Sequence, residues 1–339
     1  MKRTQLLLSV IAILFLLSCS LLAPAREAST AVPTKTTVIP TAQNGGTVQL
    51  EEPPVAENKL GQLARAHLEA LTAIGARPSG SENERLAANY INETLIDLGY
   101  EPAMQDFTPR DGNFSSRNVI AVKQGNSDQE IIIGAHYDSA DDGLGADDNA
   151  SGVAVLLETA ELIANIQTPH TIRFIAFGSE ENGLDGSTYY ADSMEDGDIE
   201  NTLAMVNLDS LVAGDYTYVY SDEGERAFLR DWVLEWADEK GLPLQTIRNA
   251  DLTSNGNYFS DYGAFDELGI PFIYFEATNW TLGAMDGWTQ VEPQYGDDGY
   301  IWHTPYDNLD YLDATFPGRV NEHLYIFVSA LFAITTEFK

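Results

Sequence analysis

The sequence has few positive charges and only one cysteine. Of its 339 residues, 18 are Lys or Arg and 52 are Asp or Glu, which gives a formal net charge of −34 at pH 7. Because so acidic a chain repels a phosphate backbone, we exclude nucleic acid as a partner. The single cysteine, Cys19, excludes an intramolecular disulfide and removes cysteine from the candidate metal ligands of the folded part.

The apolar run near the N-terminus, residues 6–17, is shorter than the ~20 residues that a membrane-spanning helix needs. It follows two positive residues and is typical of an export signal. The Leu-Leu-Ser-Cys segment that ends at Cys19 resembles a bacterial lipobox, which implies cleavage before Cys19 and attachment of lipid to its sulfur. We therefore predict a signal peptide over residues 1–18 and a cell-envelope lipoprotein, on the periplasmic or extracellular face, that meets the membrane only through this lipid. The alternative is an ordinary secretory signal with an incidental cysteine.

The rest of the chain divides into a tether and a folded part. Residues 19–56 are rich in Ala, Thr, Pro, Gly and Glu without sustained periodicity, which predicts a disordered tether. Over residues 57–339, short apolar runs typical of strands alternate with helical patterns. Such alternation favours helices packed on both faces of a sheet. We therefore predict one domain over residues 57–339, a three-layer α/β/α sandwich with a mixed, mostly parallel central sheet.

The predicted elements follow from the spacing of the apolar residues. Helical spacing predicts helices over residues 59–74, 81–98, 150–166, 186–194, 225–240 and 313–337. Runs of β-branched and aromatic residues predict strands over residues 102–107, 118–123, 130–136, 171–177, 203–208, 216–220 and 270–276.

Candidate metal ligands follow three of these predicted strands directly. They are His136 with Asp138, the pair Glu180 and Glu181, and Asp209, with His303 as a further candidate in a later loop. In an open α/β sheet, ligands bind beyond the carboxyl ends of the strands. Imidazole and carboxylate ligands suit Zn²⁺, with other divalent ions possible. The sequence therefore predicts a metal centre at this edge of the sheet.

A hydrolytic metal centre also needs a base that is not a ligand. Adjacent residues of an extended chain point to opposite sides, so one of Glu180 and Glu181 can bind metal while the other reaches the attacking water. Two ions would need a bridging carboxylate, which Asp147 or Asp148 can supply. The residues alone leave both choices open. Asp138 is suited to accept the second ring N–H of His136 and to orient that ring.

Five short segments carry a resemblance to a known family. They are residues 136–139, 145–152, 180–187, 207–209 and 303–307. Taken in this order they resemble the M28 family of zinc-dependent aminopeptidases, in a bacterial lipoprotein form, over about residues 118–310. The resemblance implies a di-zinc exopeptidase that removes N-terminal residues from peptides.

The resemblance also assigns the ligands of the two Zn²⁺ ions. It implies that Asp148 bridges the ions, that His136 and Asp209 complete the shell of one, and that Glu181 and His303 complete the shell of the other. Asp147 is then expected to cap the loop or the following helix.

Two further roles follow from the resemblance. Glu180 is then the general base that takes the proton of the metal-bound water to give the attacking hydroxide, and Asp138 is the carboxylate behind His136. Some members have a tyrosine before the last histidine, where this chain has Trp302. Tyr258 and Tyr262 are therefore candidates to steady the oxyanion, although polarisation by metal suffices without either.

Other functions are possible on the same fold. One alternative is a glutaminyl cyclase-like acyltransferase, which the Asn-Ala-Ser-Gly segment after Asp148 disfavours. A carboxypeptidase is a second, and a non-catalytic lipoprotein that binds peptides or metals is a third. The intact Glu180 argues against the third, because a pure binding protein needs no base there.

The irregular segment 279–302 is a candidate substrate lid. Its aromatic residues would then line an apolar pocket for the side chain being removed: Trp280, Trp288, Tyr295, Tyr300 and Trp302. Its acids offer a second interpretation, a structural Ca²⁺ site formed by Asp286, Glu292, Asp297 and Asp298. The third interpretation is an ordinary surface loop.

Overall fold

The computed structural model describes residues 59–110, 112–254 and 257–339. The predicted signal peptide, Cys19 and the predicted tether lie outside these residues. Within the described part of the chain, no helix combines the length and the apolar character needed to cross a membrane.

Helices and strands alternate through the described residues. The helices are α1 (Gln62–Ile74), α2 (Glu82–Asp97), α3 (Gly152–Ile163), α4 (Asp185–Asp192), α5 (Asp196–Asn201), α6 (Phe228–Lys240), α7 (Tyr262–Asp266), α8 (Leu309–Thr315) and α9 (Arg319–Thr336). The strands are β1 (Ala103–Phe107), β2 (Ser116–Lys123), β3 (Ser127–His136), β4 (His170–Phe177), β5 (Thr202–Leu208), β6 (Tyr216–Tyr220), β7 (Leu244–Gln245), β8 (Thr253–Ser254), β9 (Asn257–Tyr258) and β10 (Phe272–Thr278).

The described strands build a sheet of eight in the order β1-β2-β4-β3-β5-β10-β6-β7, and β8 pairs separately with β9. The central strands β4, β3, β5 and β10 run parallel to one another. The pairs β1–β2, β2–β4 and β6–β10 are antiparallel. The prediction of a mixed sheet with a parallel centre is confirmed.

Both faces of the sheet are covered, which makes three layers. Along β3, Ile131 and Ile133 pack into the core formed with α1, α2, α3 and α9, whereas Ile132 packs into a second core on the opposite face with α7. A parallel strand buried on both faces needs such a continuous apolar run. The apolar run that predicts a buried strand at β3 therefore also explains why β3 lies in the middle layer.

The predicted closing helix over residues 313–337 is wrong as a single helix. The structure has two helices there, α8 and α9, with a break at residues 316–318. Pro317 lacks the N–H that a continuing helix would need, and Gly318 has a left-handed backbone with φ of 90°. The short α5 and the strands β7, β8 and β9 were not predicted, because elements of two to six residues carry too little periodicity to detect.

The first helix is capped by a side chain from another helix. Glu158 of α3 is buried and accepts hydrogen bonds from the backbone N–H groups of Gly61 (2.8 Å) and Ala64 (2.6 Å). A carboxylate at this end of a helix satisfies unpaired N–H donors and interacts favourably with the helix dipole. Because α1 packs against α3 and against the turn at residues 146–151, this cap also supports the site described below.

We predict that Glu158→Gln lowers the free energy of unfolding by about 1–3 kcal/mol, because one buried N–H loses its acceptor. Urea unfolding followed by circular dichroism measures the change. Glu161→Gln, the same substitution one turn further along α3, is the matched control and should cost less than about 0.5 kcal/mol. Equal stability of the two variants would show that the cap contributes nothing.

Candidate metal centre

Side chains that follow three parallel strands meet at one edge of the sheet. His136 is the last residue of β3 and is paired in register with Phe177 at the end of β4. Glu180 and Glu181 follow Phe177 after two intervening residues and begin a turn, and Asp209 comes directly after β5. The site therefore lies beyond the carboxyl ends of the central strands, as the sequence predicts.

The turn at residues 146–151 brings Asp148 between two histidines. One oxygen of Asp148, Oδ1, lies 3.2 Å from Nε2 of His136. Its other oxygen, Oδ2, lies 3.2 Å from Nε2 of His303. A carboxylate that presents one oxygen to each of two imidazoles has the arrangement that a bridging ligand needs.

The remaining donors divide between the two histidines. Oδ1 of Asp209 lies 3.4 Å from Nε2 of His136, and Oε2 of Glu181 lies 2.8 Å from Nε2 of His303. Oε2 of Glu180 is farther from His136 Nε2, at 4.0 Å.

By donor distance alone, two groups of three side chains within residues 59–110, 112–254 and 257–339 are close enough to share an ion, each with its donor atoms within 4.8 Å of one another. They are His136, Glu180 and Asp209, and Asp148, Glu181 and His303. The distances therefore do not by themselves exclude Glu180 as a ligand.

The electrostatics of the donors suit a divalent cation. Burial alone would lower the pKa of His303, but hydrogen bonds to Asp148 and Glu181 raise it to about 11. Burial and the charge of Asp148 raise the pKa of Glu181 to about 7. Oε1 of Glu181 is buried without a hydrogen-bond partner among the described residues. Crowded carboxylates with unused oxygens and two imidazoles form a donor set that fits Zn²⁺.

Asp138 lies behind this group and fixes two of its members by hydrogen bonds. It accepts hydrogen bonds from the backbone N–H groups of Glu180 (3.0 Å) and Glu181 (3.2 Å) and from the hydroxyl of Ser79 (2.8 Å). Its Oδ1 lies 3.5 Å from Nδ1 of His136, which is a contact rather than a good hydrogen bond. Asp138 therefore positions the glutamates at least as strongly as the imidazole.

Asp147 points away from the histidines. Its carboxylate accepts hydrogen bonds from the backbone N–H groups of Val212 (2.7 Å) and Ala213 (2.9 Å) and from the side chain of Gln290 (2.6 Å). It caps the loop that follows β5 rather than its own helix. The structure thus separates the two adjacent acids that the residues alone could not distinguish.

Two residues that support Asp148 were missed by sequence reasoning. Asp307 accepts hydrogen bonds from the backbone N–H groups of Asp147 (2.6 Å) and Asp148 (3.2 Å). Arg77 is fully buried and donates to the carbonyl oxygens of Tyr137 (2.7 Å) and Gly145 (2.8 Å), which join the end of β3 to the loop before Asp148. Asp307 lies in segment 303–307, one of the five that carry the family resemblance. Nothing in the sequence around Arg77 indicates its role.

Asp209 is also oriented by residues that were missed. The hydroxyl of Ser260 donates a 2.7 Å hydrogen bond to Oδ2 of Asp209. The side-chain amide of Asn207 in turn donates to the Ser260 oxygen at 2.8 Å. This arrangement leaves Oδ1 of Asp209 directed towards His136.

A cleft of about 190 Å³ opens beside the donors. Of the aromatic residues predicted to line it, Trp280, Trp288 and Trp302 do so, whereas Tyr295 and Tyr300 do not. Asp286 also faces the cleft. The two groups of donors identified above among the described residues contain none of the four acids predicted to bind Ca²⁺.

The two tyrosines considered for the oxyanion have other partners. The hydroxyl of Tyr262 is buried and donates to the carbonyl oxygen of Leu252. The hydroxyl of Tyr258 donates to Asp266 at 2.8 Å. Neither side chain lines the cleft.

The curated proteins that are similar to this chain include the following three. The chain is 35% identical to the alkaline phosphatase isozyme conversion protein of Escherichia coli (strain K12), covering 74% of this chain and 82% of that protein. It is 30% identical to aminopeptidase YwaD of Bacillus subtilis (strain 168), covering 59% of this chain and 41% of that protein. It is 32% identical to the probable lipoprotein aminopeptidase LpqL of Mycobacterium tuberculosis, covering 64% of this chain and 46% of that protein. The chain therefore spans less than half the length of the latter two.

Solved structures with the same fold include enzymes of two activities. BSAP, a zinc aminopeptidase from Bacillus subtilis, aligns with a TM-score of 0.67 at 19% identity, over 83% of this chain and 96% of that chain. A glutaminyl cyclase from Tannerella forsythia aligns with a TM-score of 0.63 at 19% identity, over 82% of this chain and 99% of that chain. At these identities the likeness shows the fold.

A family model gives the assignment. The model of Peptidase family M28 matches residues 118–328, a span that contains most of β2, all of β3 to β10 and all the candidate metal ligands described above. This match covers more than half of the chain. The chain belongs to peptidase family M28.

Proposed function

We propose that this protein is a zinc-dependent aminopeptidase that removes N-terminal residues from peptides. The observation that carries the proposal is Asp148, whose two oxygens each face a different histidine at the mouth of a cleft. Membership of family M28 and the names of two relatives, both aminopeptidases, support it.

Two Zn²⁺ ions would be held by the residues nearest to these histidines. Asp148 would bridge them, with His136 and Asp209 on one side and Glu181 and His303 on the other. When bound, zinc lowers the pKa of water and polarises a carbonyl oxygen. The protein's own contribution is to fix the donors, which Asp138, Asp307 and Ser260 do through the hydrogen bonds described above.

Glu180 would be the general base. It is the donor farther from His136, and burial raises its pKa well above the ordinary value for a glutamate. It would take the proton of the attacking water and pass it to the leaving amine. The hydrogen bond from its backbone N–H to Asp138 keeps the side chain beside the cleft.

The peptidase unit is proposed to comprise residues 57–339, with the preceding chain as its anchor. The lipobox-like segment at Cys19 supports an exported lipoprotein, as does similarity to a relative named a probable lipoprotein aminopeptidase. The lipid would hold the enzyme at the cell envelope, on the periplasmic or extracellular face.

We expect the purified protein to hydrolyse amino-acid p-nitroanilides that carry a free amine and to leave their N-acetylated forms intact. Chelation should abolish the activity and Zn²⁺ should restore it, since the donor set binds the ions that polarise the substrate. Metal analysis should give two Zn²⁺ per chain. Conversion of a glutaminyl peptide without release of the residue would indicate a cyclase instead, and release of C-terminal residues would indicate a carboxypeptidase.

We expect Glu180→Gln to keep two bound Zn²⁺ but to lower kcat by at least about 100-fold, because the amide cannot accept a proton. Asp148→Asn should instead lower the bound zinc below two per chain. Glu239→Gln, on an exposed side chain of α6 outside the cleft, is the control for substitution itself. Near-normal kcat in Glu180→Gln, or full zinc in Asp148→Asn, would contradict the assigned role.

We expect Cys19→Ala to prevent lipid attachment and to move the protein from the membrane fraction to the soluble fraction. Incorporation of labelled palmitate into the wild-type chain, compared with the variant, measures the modification directly. Unchanged fractionation of the variant, or no label in the wild type, would contradict the lipoprotein assignment and leave an ordinary secretory signal.

A further inference from the structure

The cleft contains an acidic side chain that is not one of the proposed metal ligands. Glu276 is on β10 and lines the same cleft as His136 and Asp209. It belongs to neither group of donors close enough to share an ion. The strand alternation that buries Phe275 in one core turns Glu276 to the opposite face, where the cleft opens.

Two tyrosines interact with this carboxylate. The hydroxyls of Tyr220 and Tyr274 lower the pKa of Glu276 against the larger effect of burial, and Tyr220 accepts a 2.6 Å hydrogen bond from the indole N–H of Trp280. None of the ion pairs formed by the described Lys and Arg side chains includes Glu276. The carboxylate therefore has polar neighbours but no cationic partner within the described chain.

The absence of a cation has an electrostatic consequence. Burial, together with the charge of Asp209, raises the pKa of Glu276 to about 8. A positive group brought against this carboxylate would offset that penalty, as it does for other buried acids. The cleft thus favours a ligand that carries a positive charge to this point.

The walls around Glu276 are apolar and aromatic. Leu252, Phe259, Trp280 and Trp288 line the cleft with it, and the rings of Phe259 and Trp288 meet edge to face with centroids 4.9 Å apart. Such walls suit an aliphatic stem, and indole faces also attract cations. Asp286, which is exposed, adds a second negative charge to the lining.

We propose that this cleft selects substrates whose N-terminal residue is lysine or arginine, with Glu276 as the specificity-determining residue that binds the cationic end of the side chain. The methylene stem would lie against the aromatic walls, and the charged head would reach the carboxylate. The inference rests on the proposed aminopeptidase function and names the substrate class of that same site.

A different role for Glu276 would be to hold the free α-amino group. That group is one carbon atom away from the carbonyl that is attacked, and every N-terminal residue carries it. A carboxylate that binds it would favour all substrates equally. The two roles therefore differ in whether the charge of the substrate side chain matters.

The experiment compares arginine p-nitroanilide with citrulline p-nitroanilide, which has nearly the same shape without the charge. In the wild-type protein, kcat/KM for arginine should exceed that for citrulline by about 10-fold or more. Glu276→Gln should bring this ratio close to one, a fall of about 10-fold or more, because the guanidinium loses its charged hydrogen-bonding partner. Because both substrates are measured on one preparation, the ratio cancels any loss of folded or active protein. Glu239→Gln, which removes an exposed acid of α6 outside the cleft, should keep the wild-type ratio.

The outcomes separate this inference from the function on which it rests. Hydrolysis of both substrates by the wild type with a ratio near one would overturn the inference alone. An unchanged ratio in Glu276→Gln, with equal loss for both substrates, would assign Glu276 to the α-amino group and also overturn it. No hydrolysis of any free-amine p-nitroanilide would contradict the aminopeptidase function itself.

Discussion

The position of one carboxylate, that of Asp148, is the constraint on which the site depends. Its two oxygens lie 3.2 Å from two different histidines, one on a strand end and one in a loop far along the chain. A shift of about 1 Å would remove one of these contacts, so the backbone that carries Asp148 must be rigid. Asp307 holds that backbone through two N–H groups, and Arg77 holds the loop before it through carbonyl oxygens.

The site collects acids at a density that a folded protein otherwise avoids. Asp147, Asp261 and Asp307 are fully buried around the proposed ligands, and both carboxylate oxygens of Asp261 lack a hydrogen-bond partner among the described residues. Burying a carboxylate without a counter-charge is costly, so such a cluster destabilises the metal-free fold. Divalent cations would relieve that cost, which links metal binding to the stability of this sheet edge.

The cleft differs from the metal centre in how it is built. Several of the donors follow the ends of parallel strands, which an open α/β sheet brings together, whereas much of the cleft wall comes from β10 and from the irregular segments before and after it. The Glu276 side chain belongs to the rigid part, because β10 pairs with both β5 and β6. Under the two proposals above, catalysis and substrate selection would therefore rest on different parts of the same fold.

The sequence by itself determined the layered fold and the residue types at the strand ends. The spacing of apolar residues and the local composition are properties of short segments, so the buried strand at 130–136 and the loop after it could be predicted without a structure. The resemblance pointed to the side chains that the structure then brought together, including Asp148 rather than Asp147. Only the tertiary structure decided what holds them: Arg77 against Gly145, Ser260 against Asp209, and Glu158 against α1. These partners lie far apart along the chain, and such contacts depend on how whole elements pack, which no local pattern records. The same reason explains why Tyr258 and Tyr262, which lie on either side of Ser260 in the sequence, donate their hydroxyl hydrogens to Asp266 and to Leu252 rather than pointing into the cleft.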